Sequence, residues 1–317
     1  MIRVFIDGAE GTTGLMIERR LRSRADVELS PIEPELRKDP TARRDRIRAA
    51  DVAFLCLPDE AARESAALAE GSRAILIDAS TAHRVDPGWA YGFPELSAEY
   101  RARIRASGRV AVPGCHATGF ASIVYPLIAS GAMPRDYPVS AFSLTGYSGG
   151  GKRMIREYRA ADRAPALESA RLYALAQTHK HLPEMTAVSG LAHAPSFLPA
   201  VCDYYAGMAV SVPIFPRLMK GTSTVAGLID LYSAHYAGSA FVEVSGGPEG
   251  GAVDASALAG TNRLRLYISG NDERPVIVSV FDNLGKGASG AAMQCMNIAL
   301  GMDETIGLTE VLSYDGM

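Results

Sequence analysis

Several features that mark particular protein classes are scarce in this sequence. Its four cysteines are scattered, with neither a CxxC pair nor the spacing of a disulfide framework. The formal net charge is only −3, so the chain lacks the electrostatic footprint of a nucleic-acid-binding protein. No apolar run approaches the roughly 20 residues that span a bilayer, and residues 1–7 lack the layout of a signal peptide. These absences favour a cytoplasmic protein that binds neither nucleic acid nor membrane.

What is present is the composition of a globular protein. Hydrophobic residues make up 48% of the 317 positions and charged residues 21%, a balance that excludes a disordered chain. The length exceeds one ordinary hydrophobic core, and no internal repeat or low-complexity segment interrupts it. The sequence therefore predicts two domains.

The first third alternates between short apolar runs and helical patterns. This rhythm predicts a parallel sheet with helices on both faces. Continuous apolar runs such as residues 51–57 are typical of strands buried on both sides. We predict strands at residues 3–7, 27–32, 51–57 and 74–78, with helices at residues 13–22 and 60–70.

The later half has a different pattern, which predicts a mixed α+β domain with a larger, antiparallel sheet. A helix is predicted at residues 223–236. A last amphipathic helix, residues 288–300, is expected to pack back on the first domain. The predicted strands of this half are residues 139–144, 208–213, 241–245, 264–269 and 276–281.

The first predicted strand runs into a glycine-rich turn, G-x-x-G-x-x-G, that opens a helix. Glycines allow positive φ and a close approach of backbone to phosphate, and a helix N-terminus offers unpaired N–H groups. The spacing differs from the dinucleotide fingerprint G-x-G-x-x-G, so a turn without a ligand is the alternative. The predicted cofactor residues are Gly8, Gly11, Thr12, Thr13 and Gly14, with Leu57 and Pro58 at the end of a buried strand.

The second predicted strand indicates which nicotinamide cofactor binds. Ser30, Arg37 and Lys38 could hold the 2′-phosphate of NADP, whereas an acidic residue there would favour NAD. Exposed Arg-Lys pairs are also common as solvated loop charges. We predict NADP.

Cys115 is the most reactive candidate in the chain. It follows Pro113-Gly114 and comes just before a predicted helix at residues 121–129. A helix N-terminus favours thiolate, and thiolate is the nucleophile. Cys56, Cys202 and Cys295 lie in apolar contexts and are interpreted as small core residues.

His179 and His181 are the candidate acid/base pair for this nucleophile. On an extended segment they would point the same way. An H-x-H pair also fits metal binding, but no third ligand cluster accompanies it, so no metal site is predicted.

A glycine-rich turn at residues 146–152 precedes another helix and is interpreted as an anion or substrate contact, with a merely flexible turn as the alternative.

Together these stretches resemble the N-acetyl-gamma-glutamyl-phosphate reductase family in its shorter form. The resemblance runs in order from residue 4 to about residue 300, so it is far more specific than any single motif. The matching stretches are F-I-D-G at 5–8, G-T-T-G-L at 11–15, C-L-P-D at 56–59, I-D-A-S-T-A-H-R at 77–84, Y-G-F-P-E-L at 91–96, P-G-C at 113–115, G-Y-S-G-G-G-K at 146–152, H-K-H-L-P-E-M at 179–185 and D-N-L-G-K-G-A at 282–288.

The resemblance implies an α/β fold: a Rossmann-type NADP domain, residues 1–114 and 285–317, and a glyceraldehyde-3-phosphate-dehydrogenase-like α+β catalytic and oligomerisation domain, residues 115–284. It implies NADPH-dependent reduction of N-acetyl-L-glutamyl 5-phosphate to the semialdehyde and phosphate, in arginine biosynthesis. The reaction would pass through a thioester on Cys115. A homodimer or homotetramer is expected.

The resemblance also implies residue roles. His181, with His179 second, is the expected general acid/base, and Arg84 is expected to bind the acyl-phosphate oxyanion through its bidentate guanidinium. Further substrate contacts are expected from Tyr147, Ser148, Lys152 and Glu184, and further cofactor contacts from Ser80 and Asn283.

Two residues depart from the family pattern Asn-Pro-Gly-Cys-Tyr. Val112 removes a polar group that could fix the cysteine loop. His116 adds an imidazole that either tunes the pKa of Cys115 or points outward. These changes leave open another N-blocked glutamyl or aminoadipyl phosphate as substrate. The alternatives are an enzyme like aspartate-semialdehyde dehydrogenase and a non-catalytic NADP-binding sensor.

Overall fold

The computed structural model describes residues 1–314, which form two compact units. The first unit contains residues 1–114 and 288–310, and the second contains residues 115–287 and 311–314. The predicted domains differ from this grouping at residues 285–287 and 311–314, and residues 315–317 of the prediction lie outside the described residues. Among residues 1–314, no helix is both long and apolar enough to cross a membrane.

The first unit is built on a six-stranded sheet in which every ladder is parallel. Its strand order is β2-β1-β3-β4-β6-β5. The elements are β1 (Ile2–Asp7), α1 (Thr12–Arg22), β2 (Val27–Leu29), α2 (Pro40–Ala49), β3 (Val52–Leu55), α3 (Asp59–Leu68), β4 (Ile75–Asp78), β5 (Ala90–Tyr91), α4 (Ala98–Ser107) and β6 (Arg109–Ala111).

The sequence explains the core of this sheet. All four residues of β3 are buried, as expected for a central parallel strand covered on both faces. β2 ends at Leu29 instead of the predicted residue 32. The Ser30 N–H still donates to the Val4 carbonyl at 2.9 Å, but Pro31 has no N–H and cannot continue the ladder.

The second unit is built on a seven-stranded sheet of order β11-β12-β13-β10-β7-β9-β8. The sheet is mixed: β7 with β9 and β11 with β12 are parallel pairs, so the expectation of an antiparallel sheet was wrong at these two ladders. A helical crossover between β7 and β9 permits parallel pairing. The elements are α5 (Cys115–Ala129), β7 (Ser140–Gly146), α6 (Gly151–Arg159), β8 (Arg171–Leu172), α7 (Leu182–Ser189), β9 (Ser196–Cys202), β10 (Met208–Pro213), α8 (Val225–His235), β11 (Val242–Ser245), β12 (Leu264–Asn271) and β13 (Arg274–Phe281).

Helix α5 packs closely on the second sheet. A Cβ placed on Gly119 would lie 2.5 Å from Val210 Cγ2 on β10 and 2.8 Å from Phe281 Cε1 on β13. The Tyr236 hydroxyl at the end of α8 donates to the Ser122 carbonyl at 2.8 Å. These contacts fix α5 against β10, β13 and the end of α8.

After a π-helical turn, residues 285–289, the last helix α9 (Gly290–Ala299) belongs to the first unit. Residues 290–298 are all buried, so the expectation of an amphipathic helix was wrong. Gln294 donates to Glu95 at 2.9 Å, and the Arg24 guanidinium donates to Asn297 at 2.6 Å. The helix is therefore part of the core of the first unit.

Candidate active site

A cavity of about 490 Å³ lies over the carboxyl ends of β1 and β3 in the first unit. Its volume falls within the range of small-molecule pockets, and its position is where open α/β sheets bind ligands. Seven of the predicted cofactor residues line it: Gly8, Gly11, Ser30, Arg37, Lys38, Leu57 and Pro58.

The glycine-rich turn after β1 is required by close packing. Gly8 has φ +88°, and a Cβ there would lie 2.4 Å from the Cys56 carbonyl oxygen. A Cβ at Gly14 would lie 2.5 Å from the Gly8 carbonyl oxygen. Helix α1 begins here without an acidic residue in its first turn, which leaves its N-terminus suited to an anion. Thr12 and Thr13 lie in this first turn, not in the cavity wall.

Charged side chains of both signs line the cavity, which are Asp7, Glu10, Glu18, Arg37 and Lys38. Arg37 pairs with Glu10, whereas Lys38 forms no ion pair with any residue that the structure describes. Arg46 of α2 lies 3.5 Å from the Ser30 hydroxyl and 3.4 Å from Glu33. Arg46 was not among the predicted cofactor residues because no helix was predicted at residues 40–49. The helix-start signal was there, since the Asp39 side chain caps α2 by accepting from the Ala42 N–H at 2.8 Å.

The turn after β4 holds Ser80 in a buried network. Asp78 accepts hydrogen bonds from the Ser80 hydroxyl at 2.8 Å and from His83 Nδ1 at 2.7 Å. The His83 ring stacks on Trp89 with centroids 4.1 Å apart. His83 is therefore a satisfied core residue, and the Ser80 hydroxyl proton is used within the first unit.

Arg84, the predicted phosphate ligand, is anchored by backbone carbonyls. Its Nε donates to the Val112 oxygen at 2.9 Å, and its Nη2 donates to the Ala79 oxygen at 3.1 Å. Val112 is three residues before Cys115 in the chain. Although Val112 offers no polar side chain, its carbonyl fixes this arginine.

Cys115 is the first residue of α5, six residues earlier than the predicted start of the helix. The thiol thus sits at the positive end of the helix dipole, which favours thiolate. Gly287 approaches it closely, because a Cβ there would lie 2.9 Å from Cys115 Cβ. The sequence placed the cysteine near a helix start, and the structure places it in the first turn.

Three imidazoles cluster in the second unit around His116, the residue that follows the candidate nucleophile Cys115. The ring centroids of His179 and His181 are 4.7 Å apart, and His116 lies 5.3 Å from His179 and 5.6 Å from His181. The sequence suggested an extended segment here, but the segment forms a turn. His181 caps α7 with φ −86° and ψ −9°, and its N–H donates to His179 Nδ1 at 3.1 Å. The turn still brings both rings to one place.

His116 is buried and does not point outward. Its Nδ1 lies 2.7 Å from the Ser143 hydroxyl and its Nε2 lies 2.7 Å from the Tyr173 hydroxyl. Burial lowers the pKa of His116 to about 3, with a smaller contribution from His179. The imidazole next to the nucleophile is therefore neutral.

The hydrogen bonds of His116 define its tautomer. Ser143 is fully buried, and within residues 1–314 its hydroxyl has only His116 Nδ1 as a partner. An unpaired buried hydroxyl proton is costly, so Ser143 donates to Nδ1. The ring proton then sits on Nε2 and donates to the Tyr173 oxygen. This leaves the Tyr173 O–H able to donate elsewhere.

Tyr173 is a further residue of the candidate site that the sequence did not predict. Burial, followed by the negative charge of the Cys115 thiolate, raises the pKa of Tyr173, so its phenol stays protonated and lies near the nucleophile. It follows β8, a strand of two residues, which is too short to show a periodic pattern. No local signal identified it.

The turn at residues 146–152 has mostly structural contacts. Tyr147 is buried and stacks on Tyr158 with centroids 4.6 Å apart. The Ser148 hydroxyl accepts from Asn283 Nδ2 at 3.0 Å, and Asn283 Oδ1 accepts from the Gly207 N–H at 2.8 Å. Asn283 thus lies in the second unit and is hydrogen-bonded within it. Lys152 is exposed on α6.

Glu184, another predicted substrate residue, is buried in the first turn of α7. Within residues 1–314, no group of three or more histidine, cysteine, aspartate or glutamate side chains is placed to hold a metal ion.

Family comparisons define the class of the protein. Residues 32–104 match the semialdehyde dehydrogenase NAD-binding domain, and residues 115–283 match the semialdehyde dehydrogenase dimerisation domain. Two solved structures share the fold at low sequence identity. Aspartate semialdehyde dehydrogenase II from Vibrio cholerae, complexed with ASA, has a TM-score of 0.71 at 14% identity and covers 95% of this chain and 98% of its own. The enzyme from Francisella tularensis has a TM-score of 0.70 at 13% identity, covering 94% and 99%. The protein is an oxidoreductase of the semialdehyde dehydrogenase class with a nicotinamide-dinucleotide-binding domain.

Closer relatives narrow the class. N-acetyl-gamma-glutamyl-phosphate reductase 2 from Pseudomonas putida is 44% identical over 94% of this chain and 96% of its own length. The N-acetyl-gamma-glutamyl-phosphate reductase from Brucella anthropi is also 44% identical, over 94% and 98%. The chain belongs to the N-acetyl-gamma-glutamyl-phosphate reductase family, as the sequence resemblance predicted.

Proposed function

We propose that this protein reduces N-acetyl-L-glutamyl 5-phosphate to N-acetyl-L-glutamate 5-semialdehyde and phosphate, as a step of arginine biosynthesis. The observation that carries the proposal is Cys115 at the start of α5 beside the cluster of His116, His179 and His181. A thiolate with nearby proton carriers suits acyl transfer. Relatives at 44% identity carry the name of this activity.

The chain's residues divide the chemistry between them. The Cys115 thiolate attacks the acyl carbon, the carbon–oxygen bond to phosphate breaks, and a thioester remains. N–H groups at the start of α5 and the Tyr173 hydroxyl stabilise the oxyanion of the tetrahedral intermediate. A nicotinamide cofactor, when bound, supplies the hydride that reduces the thioester. His181, with His179 second, transfers the proton when the aldehyde leaves and the sulfur is reprotonated.

The other site residues remain proposals of the same kind. Arg84 is proposed to bind the acyl phosphate, and Lys152 and Glu184 to contact the substrate. Tyr147 and Ser148 are also proposed to contact the substrate, and Ser80 and Asn283 to contact the cofactor.

We propose NADP as the cofactor. The support is Lys38 in the cavity wall, which has no acidic partner within residues 1–314, and Arg46, which lies 3.5 Å from the Ser30 hydroxyl of the same wall. These groups suit a 2′-phosphate. Lys38→Ala and Arg46→Ala should each raise KM for NADPH about tenfold and leave KM for NADH unchanged. Lys220→Ala, an exposed lysine of the second unit, is the matched control.

The test of the function is phosphate-dependent reduction of NADP with N-acetylglutamate semialdehyde. Cys115→Ser should lose about a thousandfold in kcat, whereas Cys202→Ser, at the end of β9, should keep wild-type activity. Retention of activity by Cys115→Ser would exclude the thioester. A preference for aspartate semialdehyde by orders of magnitude would instead support the alternative, an aspartate-semialdehyde dehydrogenase-like enzyme.

We propose further that the protein is a cytoplasmic homo-oligomer assembled through the second unit. Residues 115–283 match a domain described as a dimerisation domain. On β7, Phe142 and Leu144 are 50% and 42% exposed on the face opposite Ser143. An apolar sheet face of this kind suits an isologous dimer.

A further inference from the structure

Arg171 on β8 is a half-buried cation without an anion. Its Nη2 donates to the Tyr158 hydroxyl at 3.2 Å, and its guanidinium carbon lies 5.6 Å from the Tyr158 ring centroid. Its Nε is buried and has no hydrogen-bond partner among residues 1–314, and no carboxylate of that part of the chain pairs with it. Arg163, by contrast, pairs with both oxygens of Asp203 at 2.8 Å. Arg163 therefore uses its N–H donors on a carboxylate, whereas Arg171 keeps donors that could bind one.

The strand register places Arg171 on the face of the candidate site. Arg171 pairs with Val201, which pairs with Thr145 of β7. One row further, the Tyr173 N–H donates to the Pro199 carbonyl at 3.0 Å, and Pro199 pairs with Ser143. Residues two apart on a strand point to the same side, so Arg171 shares the face of Ser143, the residue that holds His116. Along the strands, the level of Arg171 and Thr145 is separated from the level of Tyr173 and Ser143 by about 6.6 Å.

Side-chain packing gives the same placement independently. Tyr158, on which Arg171 stacks, forms a buried cluster with Tyr147, Leu167 and Val201, and Tyr173 packs against this cluster. Tyr173 in turn contacts His116, the neighbour of the nucleophile. The guanidinium and the nucleophile are therefore linked through two aromatic side chains on one face of the sheet.

A partly desolvated guanidinium without an anion is costly, and a planar carboxylate is the ligand that its bidentate fork fits. The substrate of the proposed function carries such a group: its α-carboxylate is four carbon–carbon bonds from the acyl carbon that Cys115 attacks. We propose that Arg171 binds the α-carboxylate of the substrate and so selects acyl phosphates derived from α-amino acids. This assignment rests on the proposed function and adds a subsite to it.

The experiment compares two aldehydes, N-acetylglutamate semialdehyde and 4-acetamidobutanal, which differ only in the α-carboxylate. With phosphate and NADP, the wild-type enzyme should prefer the carboxylate-bearing aldehyde. Arg171→Gln should lower kcat/KM for that aldehyde about a hundredfold and leave kcat/KM for 4-acetamidobutanal unchanged, so that the preference disappears. Arg171→Lys, which keeps the charge but not the fork, should fall between the two. Arg153→Gln, an exposed arginine of α6 paired with Glu157 at 3.7 Å, is the matched control and should keep the preference.

The outcomes separate this subsite from other roles of Arg171. Equal losses on both aldehydes in Arg171→Gln would show a structural role and overturn the assignment. A raised KM for phosphate with an unchanged aldehyde preference would assign Arg171 to the phosphate and also overturn it. Wild-type inactivity with both aldehydes would overturn the proposed function itself, and the subsite with it. Unfolding curves of Arg171→Gln identify a folding defect, in which case Tyr158→Phe, which removes the hydroxyl that holds the guanidinium, should reduce the same preference.

Discussion

His116 and Tyr173 form the central pair of the site at the scale of single residues. Ser143 donates to His116, His116 donates to Tyr173, and the phenol is left with a proton to donate. The ring of His116 is therefore a fixed, neutral orienting group, and we propose that the proton transfers of the reaction belong to His181, with His179 second. This division follows from burial, since a charged ring at position 116 would need solvation that the site does not provide.

Removal of the phenol should affect chemistry more than binding. Tyr173→Phe should lower kcat about tenfold to a hundredfold with a small change in KM, because the lost donor acts on charge that develops at the reacting acyl group. Steady-state kinetics with N-acetylglutamate semialdehyde measure it. Tyr267→Phe, a half-buried tyrosine on β12, should leave kcat unchanged. A change confined to KM in Tyr173→Phe would contradict the assigned donor.

His116 should also give the fold a specific pH dependence. Burial lowers its pKa from 6.5 to about 3. Between pH 3 and pH 6.5 the unfolded chain therefore binds a proton at His116 that the folded chain does not bind. Stability is thus lost as pH falls from 6.5 towards 3. His116→Gln should reduce the slope of the unfolding free energy against pH by about 1.4 kcal/mol per pH unit in this window.

Urea denaturation at several pH values between 4 and 7 measures this slope. His193→Gln, an exposed histidine of the second unit, is the control and should keep the wild-type slope. An unchanged slope in His116→Gln would mean that His116 is protonated in the folded state.

At the scale of elements, the start of α5 is held by the turn after β13. A Cβ at Gly287 would meet Cys115 Cβ at 2.9 Å, the Asp282 carbonyl oxygen at 3.1 Å and Phe281 Cε2 at 3.2 Å. Gly287→Ala should therefore displace the nucleophile. We expect the free energy of unfolding to fall by about 1–3 kcal/mol. We expect kcat to fall by a larger factor than the yield of expressed protein.

Gly246→Ala is the control for this substitution, because its nearest atom would be Ile229 Cδ1 at 3.9 Å. Thermal unfolding and kcat of the two variants, measured side by side, test the contact. Wild-type kcat in Gly287→Ala would show that the turn does not fix Cys115.

The sequence predicted those elements whose signal is local. The strands around β3, the glycine turn and the cysteine near a helix start all have short-range patterns, and each was found. Arg171 and Tyr173 were missed because β8 has two residues and is placed by pairing with β9. The loop that follows depends on Gln177, whose side-chain amide pairs with both backbone groups of Phe197, at 2.8 and 2.9 Å. Such contacts arise only from tertiary structure, as does the bond between His116 and Ser143.

At the scale of the whole molecule, the proposed assembly has a direct test. Phe142→Glu and Leu144→Glu would each place a charge on the exposed face of the second sheet and should convert the oligomer to monomers. Light scattering coupled to size-exclusion chromatography measures the mass. Val311→Glu, at a valine that is 69% exposed, should leave the mass unchanged. An unaltered oligomer in all three variants would place the interface elsewhere.

One strand connects the assembly to the chemistry. On β7, Phe142 and Leu144 project to the outer face while Ser143, between them, holds His116. A strand cannot move the side chains of one face and leave those of the other face in place. A second subunit that packs on Phe142 and Leu144 should therefore also restrain Ser143 and the hydrogen bonds that lead from it to Tyr173. Specific activity should therefore fall when the enzyme is diluted below its self-association constant, and crosslinked oligomers should resist that fall. Catalytic competence in this protein would then depend on its concentration in the cell.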